Sequence, residues 1–191
     1  AIVATLRNLL IELFTEYWSV VRFGSMIQGA VFEIAAPCAP CGISMLDGYL
    51  TVDFGQWHFH LCIGEHHGPR RHPTPPALAR HRRTARAELY RDVSSGAPTS
   101  WGLRLFNGAG EQQLTVFLPN PFLSDEMGVL PAPDWSQLAA WDTLRKRYLG
   151  LAPDPRDRTA KAFFHPGSPF PSGKPFGIPP RRVASCNRSG S

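Results

Sequence analysis

Residues Tyr49 to Cys62, YLTVDFGQWHFHLC, decide the fold. Two runs alternate on either side of a glycine: Leu50, Val52 and Phe54 in the first are apolar, as are Trp57, Phe59, Leu61 and the following Ile63 in the second. Side chains leave a strand on opposite faces with a period of two, so each run predicts a half-buried β-strand. Only Gly55 and Gln56 separate them, and glycine at the first central position is what a two-residue type II′ hairpin turn requires. Counting outward gives the register: Asp53 faces His58, Val52 faces Phe59, Thr51 faces His60, Leu50 faces Leu61 and Tyr49 faces Cys62. One face is then apolar, and the other carries Tyr49, Thr51, Asp53, His58, His60 and Cys62.

A second hairpin is expected from "SWGLRLF" and "QLTVFLP", where Trp101, Leu103 and Leu105 share a face with Leu114, Val116 and Leu118 across the loop from Asn107 to Gln112. Pairing Leu105 with Leu114 sets Arg104 opposite Thr115. If both hairpins share one sheet, Arg104, Gln113 and Thr115 join the histidines. A helical pattern follows each hairpin. The first covers 77–92, behind Pro75 and Pro76, with Leu78, Ala85 and Leu89 as a thin apolar stripe. The second covers 135–149, capped by Asp134 with Gln137 as capping-box partner, stopped by Gly150, and buried through Leu138, Trp141, Leu144 and Tyr148.

Ahead of the hairpins, Ile2, Leu6, Leu9, Leu10, Leu13, Tyr17, Val20 and Val21 recur at three- and four-residue steps and predict an amphipathic helix within 1–24. Arg7, Glu12 and Glu16 interrupt it, so no membrane span is expected. A short strand is expected over Ala30 to Ala35. This order implies an α+β fold: an antiparallel sheet of four to five strands from two β-hairpin–helix units, with helices packed on one face and an N-terminal amphipathic helix.

The chain has 191 residues, of which 43% are hydrophobic and 18% charged, a composition that supports a packed core. The pattern assigns 1–152 to a single domain (N-terminal helix 1–24, core 45–150) and 153–191 to a basic tail rich in proline, glycine and serine, too poor in periodic apolar residues to fold by itself. Phe163, Phe164, Phe170 and Phe176 could pin that tail to the domain or to a partner. The formal net charge is +5, and Arg70, Arg71, Arg80, Arg82, Arg83, Arg86 and Arg91 crowd one segment. That allows anionic partners, but no recognition motif or interleaved aromatics accompany the run, so nucleic acid is not expected. Cysteines at 38, 41, 62 and 186 are too few and scattered for a disulfide framework, which points to a reducing, cytoplasmic setting. Cys38 and Cys41 have CxxC spacing, yet Pro37, Pro40 and Gly42 mark a loop and no second pair completes a zinc site. No signal peptide, P-loop, dinucleotide fingerprint, GxSxG elbow or HExxH helix is present in the sequence.

Three functions suit the polar face. His58 and His60 stand about 6.6 Å apart along their strand, and Asp53 lies about 5 Å across the pair. With Glu65 or His66 as a further ligand, they suit a divalent transition metal, zinc or iron. The run His58-Phe59-His60, four residues, then Glu65 resembles the HxHxxxxE core of the first cupin motif over eight residues. Val52 stands where that motif has its glycine and the second motif is missing, so the ligand set rests on the hairpin register. The second reading is a metal-free face that binds or transforms a small ligand through Thr51, Arg104 and Thr115, with a histidine oriented by Asp53. The third is a non-enzymatic accessory or protein-interaction subunit using the polar face and the tail. An antiparallel sheet ordinarily keeps one face solvated, so histidines there need no chemical role.

Overall fold

The computed structural model describes residues 2–27 and 29–163; the rest of the tail, with Phe164, Phe170, Phe176 and Cys186, lies outside them. In chain order the elements are α1 (Ile2–Glu16), β1 (Arg22–Gly24), β2 (Met26–Ile27), β3 (Ala30–Val31), β4 (Ile34–Ala35), β5 (Gly42–Leu46), β6 (Tyr49–Asp53), β7 (His58–Cys62), α2 (Pro76–Arg82), β8 (Thr84–Ser94), β9 (Ala97–Asn107), β10 (Gln112–Phe117), a 3-10 turn (Trp135–Leu138), α3 (Ala139–Leu149) and a second 3-10 turn (Pro155–Arg158). The fold is α+β. Five strands form an antiparallel sheet in the order β4-β1-β10-β9-β8, three form a sheet β5-β6-β7, and β2 pairs with β3. Among the described residues the chain divides into two compact units, one built from residues up to Glu88 with Leu103–Val116, the other from Leu89–Gly102 with 117–163.

In the first unit the predicted hairpin register holds at all five pairs, from Tyr49↔Cys62 to Asp53↔His58. Leu50, Val52, Phe54, Leu61 and Ile63 are buried. The amphipathic pattern of α1 explains what covers them: Leu6, Leu9, Leu10, Leu13 and Phe14 are buried, and the Phe14 ring meets Phe59 at 5.3 Å and Phe23 at 5.0 Å between centroids. Burying each such side chain stabilises by about 1.5–3 kcal/mol. The helix stops at Glu16 rather than running toward residue 24. Tyr17 accepts hydrogen bonds from the N–H groups of Val20 and Val21 in a tight turn, and β-branched Val21 leads into β1.

A strand the pattern reading left out, β5, pairs with β6 through Leu46↔Tyr49 to Gly42↔Asp53. Asp47 and Gly48 form its turn with φ of 44° and 81°, the two left-handed residues of a type I′ hairpin. Cys38 and Cys41 lie in the irregular stretch ahead of β5, where the Cys41 N–H donates to the Asp53 carbonyl at 2.7 Å.

The helix expected over 77–92 is corrected. Only Pro76–Arg82 is helical; Arg83 turns extended (φ −69°, ψ 136°), and the buried Thr84 hydroxyl sits 3.0 Å from the Cys62 carbonyl and 2.8 Å from Gln113 Oε1. The chain continues as β8 and returns as β9 through Ser95 and Gly96, both at positive φ. A strand explains why the arginine-rich segment lacks a broad apolar stripe: β8 is the sheet edge, and Thr84 is its one buried residue.

In the second unit, Leu138, Trp141 and Leu144 are buried as predicted, together with Ala140, while Tyr148 is half-buried. Asp134 caps the 3-10 turn that precedes α3, accepting the Ser136 N–H at 3.1 Å. The Gln137 amide donates to the Leu123 carbonyl at 3.1 Å instead of closing a capping box. Gly150 ends α3 at φ 67°. Residues 153–160, which composition assigns to the tail, hold the second 3-10 turn, and Asp157 within it is wholly buried.

Candidate functional site

The outward face of β5-β6-β7 is read directly from its rows. Paired residues share a face, so Ser44, Thr51 and His60 form one row, Asp53 and His58 another, and Leu46, Tyr49 and Cys62 a third. His58 and His60 are exposed, with ring centroids 4.8 Å apart at 66°. The Thr51 hydroxyl lies 2.7 Å from His60 Nδ1 and fixes that ring. His58 has no hydrogen-bond partner among the described residues. Asp53, directly across from His58, turns its carboxylate to the hairpin and accepts the Gly55 N–H at 2.8 Å.

The face gathers Thr51, His58 and His60 and separates the other candidates from them. Glu65 is exposed beyond β7, 4.0 Å from the His67 ring. His66 pairs with Asp47, as described below. Arg104 and Thr115 belong to β9 and β10 of the five-stranded sheet, where Thr115 is wholly buried and its hydroxyl meets the Gln112 amide. Among the described residues no group of three or more His, Cys, Asp or Glu side chains is placed to hold a metal ion. Cys62 is buried at the end of its row, and burial pushes its thiol up. The thiolate, which is the nucleophilic form, is thereby disfavoured.

A second cluster escaped the pattern reading. Asp47 Oδ1 accepts the His67 N–H and Oδ2 accepts the Gly68 N–H, each at 2.8 Å, and Oδ2 also lies 2.8 Å from His66 Nδ1. The two backbone donors, His67 first, hold the Asp47 carboxyl below the usual range. His66 Nε2 is 2.9 Å from the Thr74 hydroxyl and 3.3 Å from the Arg82 guanidinium, and its ring stands edge-on to Tyr49 at 5.0 Å. Carboxylate, imidazole and hydroxyl in this order can orient a base toward a nucleophile. Here the same Nε2 is already crowded by Arg82. A Cβ on Gly68 would meet Thr74 Oγ1 at 2.5 Å, and the His66 side chain is only 11% exposed. The cluster clamps the 64–75 loop onto the Asp47–Gly48 turn.

Residues 2–150 match the family of unknown function DUF7676. The chain belongs to that family. No curated protein matches it. Among solved structures it is similar to one titled "Crystal structure of ChuX", at 15% identity over 77% of this chain and 75% of that one, with a TM-score of 0.47. At that level the likeness informs neither ligand nor site.

Asp47 carried a readable signal, since an Asp-Gly pair before an alternating run is a strong hairpin mark. Its engagement with His66, His67 and Gly68, some twenty residues on, had none. The described helices include none long and apolar enough to cross a membrane.

Proposed function

We propose that the protein is a non-enzymatic binding protein that docks a partner on the outward face of β5-β6-β7, with His58 and His60 at its centre. The observation that carries this reading is the imidazole pair itself, exposed, 4.8 Å apart and anchored on one side only, by Thr51. Leu46, 78% exposed, and Tyr49 extend the same face. A mix of polar, aromatic and aliphatic groups on an open surface is the makeup of a protein interface. Catalysis would instead require an acid–base pair in contact and a pocket to hold substrate, and Asp53 is committed to Gly55.

A metal held by the two histidines, zinc or iron, is the second reading, favoured by the same ring separation; its remaining coordination positions would be filled from outside the chain. The test uses wild type, His58→Ala, His60→Ala and Leu46→Ser. Affinity capture followed by mass spectrometry should recover a partner with wild type and lose it with each variant, at unchanged melting temperature. Calorimetric titration with Zn²⁺ and Fe²⁺ decides the second reading: stoichiometric uptake abolished by either histidine substitution would replace the docking proposal with a metal site. A partner retained by all three variants would sink the docking face.

A further inference from the structure

The arginines divide into two kinds. Five of those in the described residues have a carboxylate at hand: Arg86 with Glu88, Arg91 with Asp154 and Asp157, Arg145 with Asp157, Arg156 with Asp154, and Arg158 with Asp142. Arg80 and Arg83 do not. No carboxylate among the described residues lies within ion-pairing distance of either, although Glu111 is close enough to pair with the neighbouring His81 at 3.2 Å. Both guanidinium-bearing residues line one open groove of about 400 Å³. His81 joins them, and the rest of the wall is small: Ala77, Ala85 and Gly108.

The groove is fixed by backbone contacts. The Gly108 N–H donates to the His81 carbonyl at 3.0 Å, and a Cβ on Gly108 would fall 2.1 Å from the Arg80 carbonyl oxygen. Only glycine allows that approach. Asn107 Oδ1 accepts the N–H groups of Ala109 and Glu111, each at 2.9 Å, which sets the turn between β9 and β10. The end of α2 is thus pinned to this turn, and Arg83, half-buried, leaves the helix in extended form. The two guanidinium groups rise from a backbone set before any ligand arrives.

We infer that this groove is a binding site for a small molecule bearing a phosphate group. A phosphate carries close to two negative charges near neutral pH, which matches two unpaired guanidinium groups, and a guanidinium presents a planar fork of donors suited to bidentate contact with phosphate oxygens. The volume is that of a small-ligand site. A solvated basic face would explain the charge, but it does not require the turn that pins Arg80 and Arg83 to one groove. The site is separate from the His58 and His60 face and does not depend on its role.

The probes are inorganic phosphate, pyrophosphate and glycerol 3-phosphate, with citrate as a polycarboxylate of similar size, titrated by calorimetry at low and at physiological ionic strength. Saturable one-to-one binding of a phosphate-bearing probe is expected, weakened about tenfold or more, roughly 1.4 kcal/mol, by Arg80→Gln and by Arg83→Gln. Arg70→Gln should leave it unchanged, and the melting temperature of every variant without ligand should match wild type. The inference is overturned if no phosphate-bearing probe saturates at millimolar concentration, if citrate binds more tightly than pyrophosphate, or if Arg70→Gln weakens binding as much as Arg80→Gln. The last outcome would mean general attraction to a basic surface.

Discussion

The indole N–H of Trp141 donates to Asp157 Oδ2 at 2.8 Å, and the carboxylate that receives it has no exposed surface. Arg91 reaches the other oxygen at 2.5 Å, the Trp101 indole at 3.3 Å, and Arg145 approaches Oδ2 at 3.4 Å. Donors from β8, β9 and α3 therefore replace the water that an ionised carboxylate loses on burial. Removing one partner of a buried pair leaves the other charge uncompensated, at about 3–5 kcal/mol. Asp157→Ala should lower unfolding free energy by that order, read from urea melts, and Asp157→Asn by less because it can still accept from an indole. A chain ended at Pro153 should lose the same stability. An Asp157→Ala variant within about 1 kcal/mol of wild type, the level of an exposed ion pair, would show that the cluster is dispensable.

The hairpin at 49–62 was legible because its two properties are local: period-two alternation fixes which residues face inward, and Gly55 fixes the turn. The Asp157 cluster was not legible, since its four donors come from positions 91, 101, 141 and 145 and only folding brings them to one point. The segment 84–92 misled for a different reason. An edge strand buries little, so its alternation is weak, and Leu78, Ala85 and Leu89 happen to fit helical spacing. The signal that resolves it is Ser95-Gly96, a turn pair at which β8 returns as β9. At the candidate site the register placed Thr51, His58 and His60 together correctly. It could not foresee that Asp53 bonds its own turn.

Asp47 gives the 64–75 loop a dependence on pH. Its carboxyl sits below the usual range because the His67 and Gly68 N–H groups donate to the ionised form. The unfolded value is about 3.9, so this contribution is complete above that pH and is lost as pH falls through it toward the folded value. Amide chemical shifts of His67 and Gly68 should therefore move together with an apparent midpoint below about 3.9, and both amides should lose hydrogen-exchange protection in Asp47→Asn at neutral pH. Unchanged protection in that variant would remove the clamp from the argument.

Core and face should separate cleanly in the first unit. Phe14 is wholly buried between Phe23 and Phe59, so Phe14→Ala is expected to cost about 3–5 kcal/mol. His60→Ala removes an exposed ring with one hydrogen bond to Thr51 and should cost no more than about 1 kcal/mol. Urea unfolding of both variants checks the order. Equal losses would mean that His60 carries part of the core.

Gly48 and Gly96 occupy the same position in two type I′ turns, at φ 81° and 82°, yet substitutions there should differ. At Gly96 nothing lies within 4 Å of an added Cβ, so Gly96→Ala meets only the strain of a left-handed alanine, about 1–2 kcal/mol. At Gly48 the same Cβ would fall 2.3 Å from the Glu65 carbonyl oxygen, which is backbone and cannot rotate away. The Gly48 carbonyl also accepts the N–H groups of Ile63 and Gly64, each at 2.9 Å. Gly48→Ala must therefore push the loop off the turn and weaken those bonds, adding an overpacking cost of about 1–3 kcal/mol to the strain. Thermal melts of the two variants should place Gly48→Ala clearly below Gly96→Ala, with the extra loss accompanied by faster exchange at the Ile63 and Gly64 amides. Equal melting temperatures with unaltered exchange would show that the 64–75 loop does not rest on this turn.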